Sequence, residues 1–130
     1  MMLRLLLDTC TFLWVILDAP RLSKRAAELF RAPDDEVYLS AASAWEIAVK
    51  HGLGRLPLPA SPGRFVRDMR EAHGIAALPI DEEAALHVSK LPAAHRDPFD
   101  RMLVSQAIVH GLTILTPDPL VTQYPARTIW

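Results

Sequence analysis

Apolar residues in this chain recur in two patterns, short unbroken runs and one-sided helical faces, and the two alternate along its length. Leu3-Arg4-Leu5-Leu6-Leu7 is an apolar run halted by Asp8, the pattern of a buried strand. Thr9 to Leu17 then reads as a helix with Phe12, Leu13, Ile16 and Leu17 on one face, ending before Pro20. Ser23 is placed to cap a second helix reaching about Arg31, with Ala26, Ala27, Leu29 and Phe30 turned inward. Pro33 to Glu36 is a turn and Val37-Tyr38-Leu39 a second strand. Ser40 caps a third helix through Lys50, with Gly52 and Gly54 as its stop. Leu56 to Pro59 is a stiff loop, because its two prolines fix φ and withhold donors. Ser61-Pro62 opens a fourth helix as N-cap and first residue, and Gly74 ends it. Ile75 to Ile80 is a third strand. Asp81, Glu82 and Glu83 place acids on the first turn of a helix reaching Lys90, where they suit its dipole. Leu91 to Arg96 is loop, Asp97-Pro98 opens a helix through His110, and Gly111 closes it. Leu112 to Leu115 is a fourth strand, and Arg127 to Trp130 a fifth at the sheet edge.

Strands that alternate with helices, with no hairpin signal between them, predict a central, mainly parallel sheet of four or five strands covered on both faces. The expected class is therefore α/β, in three layers, α/β/α. No repeat or low-complexity linker divides residues 1–130, which read as a single domain. Composition narrows the function. With 51% hydrophobic residues and a net charge of −1, the chain is neither disordered nor a protein that holds nucleic acid through a bulk basic field. One cysteine, Cys10, cannot form an internal disulfide; two residues past a strand, it reads as packing and fits a reducing compartment. No apolar run nears the roughly 18–20 residues of a membrane span, and the apolar N-terminus is broken by Asp8 without a cleavage signal. A soluble, cytoplasmic protein is expected.

In an open parallel sheet, ligands bind beyond the carboxyl ends of the strands. Asp8 follows the first strand, Glu46 lies two turns into the helix after the second, Asp97 and Asp100 begin the helix leading into the fourth, and Asp118 follows the fourth. Each has a plainer explanation. Asp8 reads as a helix cap, Asp97 and Asp100 as a capping-box-like start, Asp118 as a turn residue, and Glu46 as half of an i,i+4 pair with Lys50. Together they converge on one sheet edge, where carboxylates raise one another's pKa unless a cation neutralises them. An all-oxygen acidic site suits Mg²⁺ or Mn²⁺ and can support phosphodiester hydrolysis with one or two ions. Other schemes fit less well. His51, His73, His87, His95 and His110 lack metal-ligand spacing, although His95, beside Arg96 and Asp97, can reach a substrate. No nucleophile-elbow, Walker or dinucleotide motif occurs.

These residues resemble the PIN-domain family, in particular the VapC-type ribonuclease toxins of type II toxin–antitoxin systems. The resemblance rests on Leu5 to Thr9 with Trp14, Ser40 to Ile47, His95 to Leu103 with Gln106-Ala107, and Leu115 to Asp118, in the family's order. It implies a metal-dependent endoribonuclease, with Mg²⁺ or Mn²⁺, that is neutralised by a cognate antitoxin and is commonly a homodimer. Carried over by motif, Asp8, Glu46, Asp100 and Asp118 are the four acids. Asp97 is an additional one, and which of Asp97 and Asp100 lies nearer the metal is open. Asp8 and Asp100 would hold the principal ion, while Glu46 and Asp118 complete the pocket, bind a second ion or orient water. Thr9 and Thr116 match small hydroxyl positions flanking the site, and Lys50, Arg55, Arg96 and Arg101 are candidate phosphate contacts. Hydrolysis by water would leave 5′-phosphate and 3′-hydroxyl ends. The first four helices leave room for an apolar groove that takes an antitoxin helix; Phe12, Trp14, Phe30, Trp45 and Phe65 are candidates to line it, with core burial the plainer reading for most of them.

Two other functions compete. A haloacid-dehalogenase-like phosphatase also opens with an Asp after a strand, but it needs a second acid where Cys10 stands. A receiver-like regulatory module needs a Lys after a late strand, where Thr116-Pro117-Asp118 stands.

Overall fold

The computed structural model describes residues 2–93 and 95–130. Five strands, β1 (Arg4–Leu7), β2 (Glu36–Ser40), β3 (Ala76–Leu78), β4 (Thr113–Leu115) and β5 (Thr128–Ile129), form one sheet in the order β3-β2-β1-β4-β5. Every neighbouring pair is parallel. The central strand β1 is flanked on both sides, and its Leu5, Leu6 and Leu7 are fully buried. This is why it reads as a continuous apolar run, as strands covered on both faces do.

Side-chain alternation divides the core. Leu5 and Leu7 join Val37, Leu39 and Leu115 on one face, against Phe12 of α1 (Thr9–Leu17), Ala26 of α2 (Lys24–Arg31), Ile47 of α3 (Ala41–Gly52), and Phe65 and Val66 of α4 (Pro62–Ala72). Leu6 and Ile114 face the other way, against Leu103, Val104 and Ala107 of α6 (Pro98–His110) and Val121 of α7 (Pro119–Thr122). Helix α5 (Glu82–His87) packs on α6, where the Ser105 hydroxyl donates to the Ala84 carbonyl. The result is the expected three-layer arrangement.

Most boundaries follow the cap chemistry. Ser23 and Ser40 accept backbone N–H groups at the starts of α2 and α3, and Gly111, at φ 67°, closes α6. The departures have local causes. Helix α3 runs through Gly52, because the left-handed turn falls at Gly54. Helix α1 is no departure: it spans Thr9–Leu17 as expected, and Asp18 closes it in a left-handed conformation before Pro20. Ser61 precedes α4 without making a side-chain cap bond. Strand β3 stops at Leu78, since Pro79 has no N–H to extend the ladder. The helix expected to reach Lys90 tightens to a 3₁₀ turn over Val88–Lys90. Helix α7, only four residues long and starting directly after Asp118, is too short to stand out by periodicity. Among the described residues, no helix is long and apolar enough to cross a membrane.

The aromatic groove expected among the first four helices is not formed. Phe12 and Phe65 are core residues, Trp14 stacks edge-on against Trp130 at 5.8 Å, and Trp45 lies 56% exposed against Phe99. An apolar groove of about 530 Å³ does run between α3, α4 and the sheet edge, but small side chains line it, including Ala41, Ala44, Ala48, Gly63 and Val66.

Leu6 sits at the centre of the second face, so Leu6→Ala should lower unfolding free energy by about 2–5 kcal/mol. Chemical denaturation of the two proteins measures this directly.

Candidate metal and catalytic site

The pairing of β1 with β4 sets Leu7 beside Leu115, so the residues that follow, Asp8 and Thr116, emerge together. Asp8 stays 4% exposed because the strand feeding it is buried. Its Oδ1 accepts the Thr11 N–H at 2.8 Å and so caps α1; its Oδ2 accepts the Thr116 hydroxyl at 2.5 Å. Burial pushes the Asp8 carboxyl above its ordinary value, those hydrogen bonds pull it back, and Asp118 adds a further rise.

Glu46 faces inward from α3, 6% exposed. Its Oε1 accepts the Thr9 hydroxyl at 2.6 Å, and its Oε2 pairs with Lys50 one turn later. The i,i+4 pair read from the sequence therefore exists, and Glu46 lines the site as well. Thr9 and Thr116 spend their hydroxyl protons on carboxylates, so both orient acids from buried positions.

From α6 come Asp97 and Asp100. Asp97 caps the helix through the N–H groups of Phe99 and Asp100, at 2.9 and 3.3 Å. Asp100 Oδ2 lies 3.0 Å from His95 Nε2. Burial raises the Asp100 carboxyl to about 6; the His95 hydrogen bond opposes the rise, and the charges of Asp97 and Glu46 reinforce it. Asp118 caps α7 by accepting the Leu120 N–H at 2.9 Å, while its own N–H donates to the Thr116 hydroxyl oxygen at 3.1 Å.

All five acids line one cavity of about 170 Å³, with Thr9, Cys10, Lys50, His95 and Leu120. The larger apolar groove along α3 and α4 is a separate feature, without acids among its lining residues. Five carboxylates against one ammonium suit a hard divalent cation. The upward shifts at Asp8 and Asp100 come first from burial, and neighbouring carboxylates add to them. Ligand atoms of His95, Asp97 and Asp100 fall within 4.8 Å of one another.

Other expected contacts lie elsewhere. Arg55 and Arg96 are exposed and outside the cavity lining. Arg101, expected at the substrate, is instead bound to the loop before α6: Nη1 donates to the carbonyls of Pro92 and His95 and to the Tyr124 hydroxyl, and Nη2 to the Val88 carbonyl. Cys10 is exposed at the cavity, not packed in the core. Partial burial, with Asp8 and Glu46 nearby, raises its thiol, so it stays protonated and weakly nucleophilic. The His95–Asp100 contact was not legible beforehand, because a five-residue separation across Pro98 acquires meaning only from the loop's conformation.

The model of the PIN domain family matches residues 5–125. The chain belongs to the PIN domain family. Ribonuclease VapC16 of Mycobacterium tuberculosis (strain ATCC 25618 / H37Rv) is 37% identical over 89 residues, a match that spans 59% of this chain and 63% of that protein. Among solved structures, VapBC2 from Rickettsia felis, bound to a promoter DNA fragment, superposes with a TM-score of 0.73 at 13% identity, covering 98% of each chain. FitAcB from Neisseria gonorrhoeae gives 0.65 at 21% identity, covering 97% and 96%. At those identities the solved structures show that this chain has the PIN fold; the acids are this chain's own.

The raised Asp100 value has a stability consequence. Its folded pKa exceeds its unfolded one, so its contribution is fully present below about pH 4 and is lost as pH rises through about 6. In metal-free protein at pH 7, Asp100→Asn should therefore stabilise by on the order of 2 kcal/mol, with the gain vanishing below about pH 4. Thermal melts in chelator across pH 3.5–8 check the sign.

Proposed function

We propose that this PIN domain, taken as one functional unit over residues 1–130, is an endoribonuclease dependent on Mg²⁺ or Mn²⁺, and the toxin of a toxin–antitoxin pair. The observation that carries the reading is the convergence of Asp8, Glu46, Asp97, Asp100 and Asp118 on one cavity at the carboxyl ends of the strands. The family membership, and the likeness to a protein named as a ribonuclease, support it.

Asp8, Asp97 and Asp100 would hold the ion. When bound, it supplies Lewis-acid stabilisation of charge developing on a phosphodiester oxygen. Glu46, its two oxygens fixed by Thr9 and Lys50, orients the attacking water. Thr116 keeps Asp8 turned toward the cavity and sets the start of the segment carrying Asp118, which completes the acidic wall. Lys50, at the cavity, and Arg96, exposed nearby in sequence, give the RNA backbone its positive contacts. Attack by water in line with the leaving 3′ oxygen leaves 5′-phosphate and 3′-hydroxyl ends.

With labelled RNA and Mn²⁺, Asp8→Asn should lower the cleavage rate by at least about 100-fold while folding normally. A folded Asp8→Asn protein as fast as wild type, or cyclic-phosphate product ends, refutes the mechanism.

The assembly part of the proposal rests on the company the fold keeps: VapBC2 is a structure with promoter DNA, and FitAB was likewise solved bound to DNA. We infer a homodimeric toxin whose antitoxin lays a helix into the groove between α3 and α4, with Arg67 and Arg70 on its lining. Ala48→Arg, at an exposed helical position in that groove, should weaken antitoxin binding by about tenfold or more and leave RNA cleavage within about twofold. Titration of tagged antitoxin against both proteins, with a parallel cleavage assay, measures the two effects.

A further inference from the structure

The described residues of the segment before α6, 91–93 and 95–97, have no regular structure, yet several donors tie them down. Arg101, in the first turns of α6, reaches back with Nη1 to the Pro92 carbonyl at 2.8 Å and the His95 carbonyl at 3.2 Å. The Tyr124 hydroxyl, on a ring 3% exposed, donates to the same His95 carbonyl at 3.1 Å and accepts from Arg101 Nη1 at 3.1 Å. The His95 carbonyl therefore takes two hydrogen bonds, one of them charged. Its imidazole, 15% exposed, lies with Nε2 3.0 Å from Oδ2 of an Asp100 side chain that is 17% exposed.

The geometry points to His95 as a positioning residue of the acidic site. Its Nε2–H donates to Asp100 Oδ2 and leaves Oδ1 as the oxygen available to a cation, while the Arg101–Tyr124 clamp holds the imidazole in register. This rests on the metal-site reading given under Proposed function and goes beyond it, since that reading needs only the acids. Two physical points favour the role. A carboxylate on the first turn of a helix has several rotamers, and a single hydrogen bond to one oxygen selects among them. Donors behind ligating groups also tune metal affinity by about 10–100-fold. Arg101 acts at one remove: it does not itself line the cavity, but its guanidinium holds the backbone of His95, whose imidazole reaches Asp100.

The test is Mn²⁺ binding by titration calorimetry on the full chain at one fixed pH, for wild type, His95→Ala, His95→Gln and Tyr124→Phe, with melting curves for each. Substituting His95→Ala should weaken Mn²⁺ binding by about tenfold or more. His95→Gln, which retains an N–H donor, should recover most of the loss, and Tyr124→Phe should weaken binding by a smaller factor. Unchanged Mn²⁺ affinity in a folded His95→Ala protein overturns the proposal, even if its melting temperature falls. So does an affinity in His95→Gln as poor as in His95→Ala, because the imidazole would then be a metal ligand itself. The readout is independent of RNA. Wild type that takes Mn²⁺ but cuts no RNA refutes the nuclease reading alone, whereas an active wild type with indifferent His95 variants refutes only the positioning role.

Discussion

The carboxylate of Asp8 is almost withdrawn from water, and the end of the sheet is organised around keeping it there. Burying such a group without partners would cost several kcal/mol. The fold answers with the Thr11 N–H on one oxygen and the Thr116 hydroxyl on the other. The second bond exists only because β1 and β4 pair in parallel with Leu7 level with Leu115. Thr116 then passes the constraint on, since its oxygen also receives the Asp118 N–H and sets the entry into α7. The sheet register, one hydroxyl and two acids are thus a single construction. Its hydrogen bonds only partly offset the burial, because the Asp8 carboxyl remains raised.

The same economy governs the other acids. Asp8, Asp97 and Asp118 are the N-caps of α1, α6 and α7, and each uses Oδ1 for the cap. Helix capping and site formation first read as competing explanations of these residues. They are complementary, because each carboxylate oxygen carries two lone pairs and a cap bond uses one, which leaves acceptor capacity even on Asp8, whose other oxygen takes the Thr116 hydroxyl. Three helix N-termini also bring their positive dipole ends toward the acids, which favours the charged forms. The site is assembled by the elements that it terminates.

This explains what was legible in the sequence. Strand β1 and helices α2, α3 and α6 announced themselves through apolar runs, serine caps and the Asp97-Pro98 start, all of them local signals. The acids followed from topology, since each stands just past a strand or at a helix start. Contacts made through loop conformation were not legible. His95 reaches Asp100 from a backbone whose carbonyl is held by Arg101 and Tyr124, and Tyr124 lies 29 residues away from His95. Arg101 looked like a phosphate contact because a basic residue beside an acidic motif carries no mark of which carbonyls it serves. The aromatic lining of the groove failed for a related reason. Aromatics near a helix face are as useful to the core as to a partner, and Phe12 and Phe65 went to the core.

Net charge takes on a different meaning once the residues are placed. Setting aside the five cavity acids, Asp8, Glu46, Asp97, Asp100 and Asp118, leaves 14 basic residues against 10 acidic ones, so the remainder of the chain is +4 although the whole is −1. That separation is local, and at physiological salt its field fades over about 8 Å. Of the nearby cations, Lys50 is paired with Glu46 and Arg101 is engaged with carbonyls, which leaves little positive charge inside the cavity. A phosphate approaching this site meets repulsion until a cation offsets the carboxylates. The near-neutral total therefore excludes only binding by bulk charge. In the proposed function it makes the acids' demand for a divalent ion also the condition for admitting RNA.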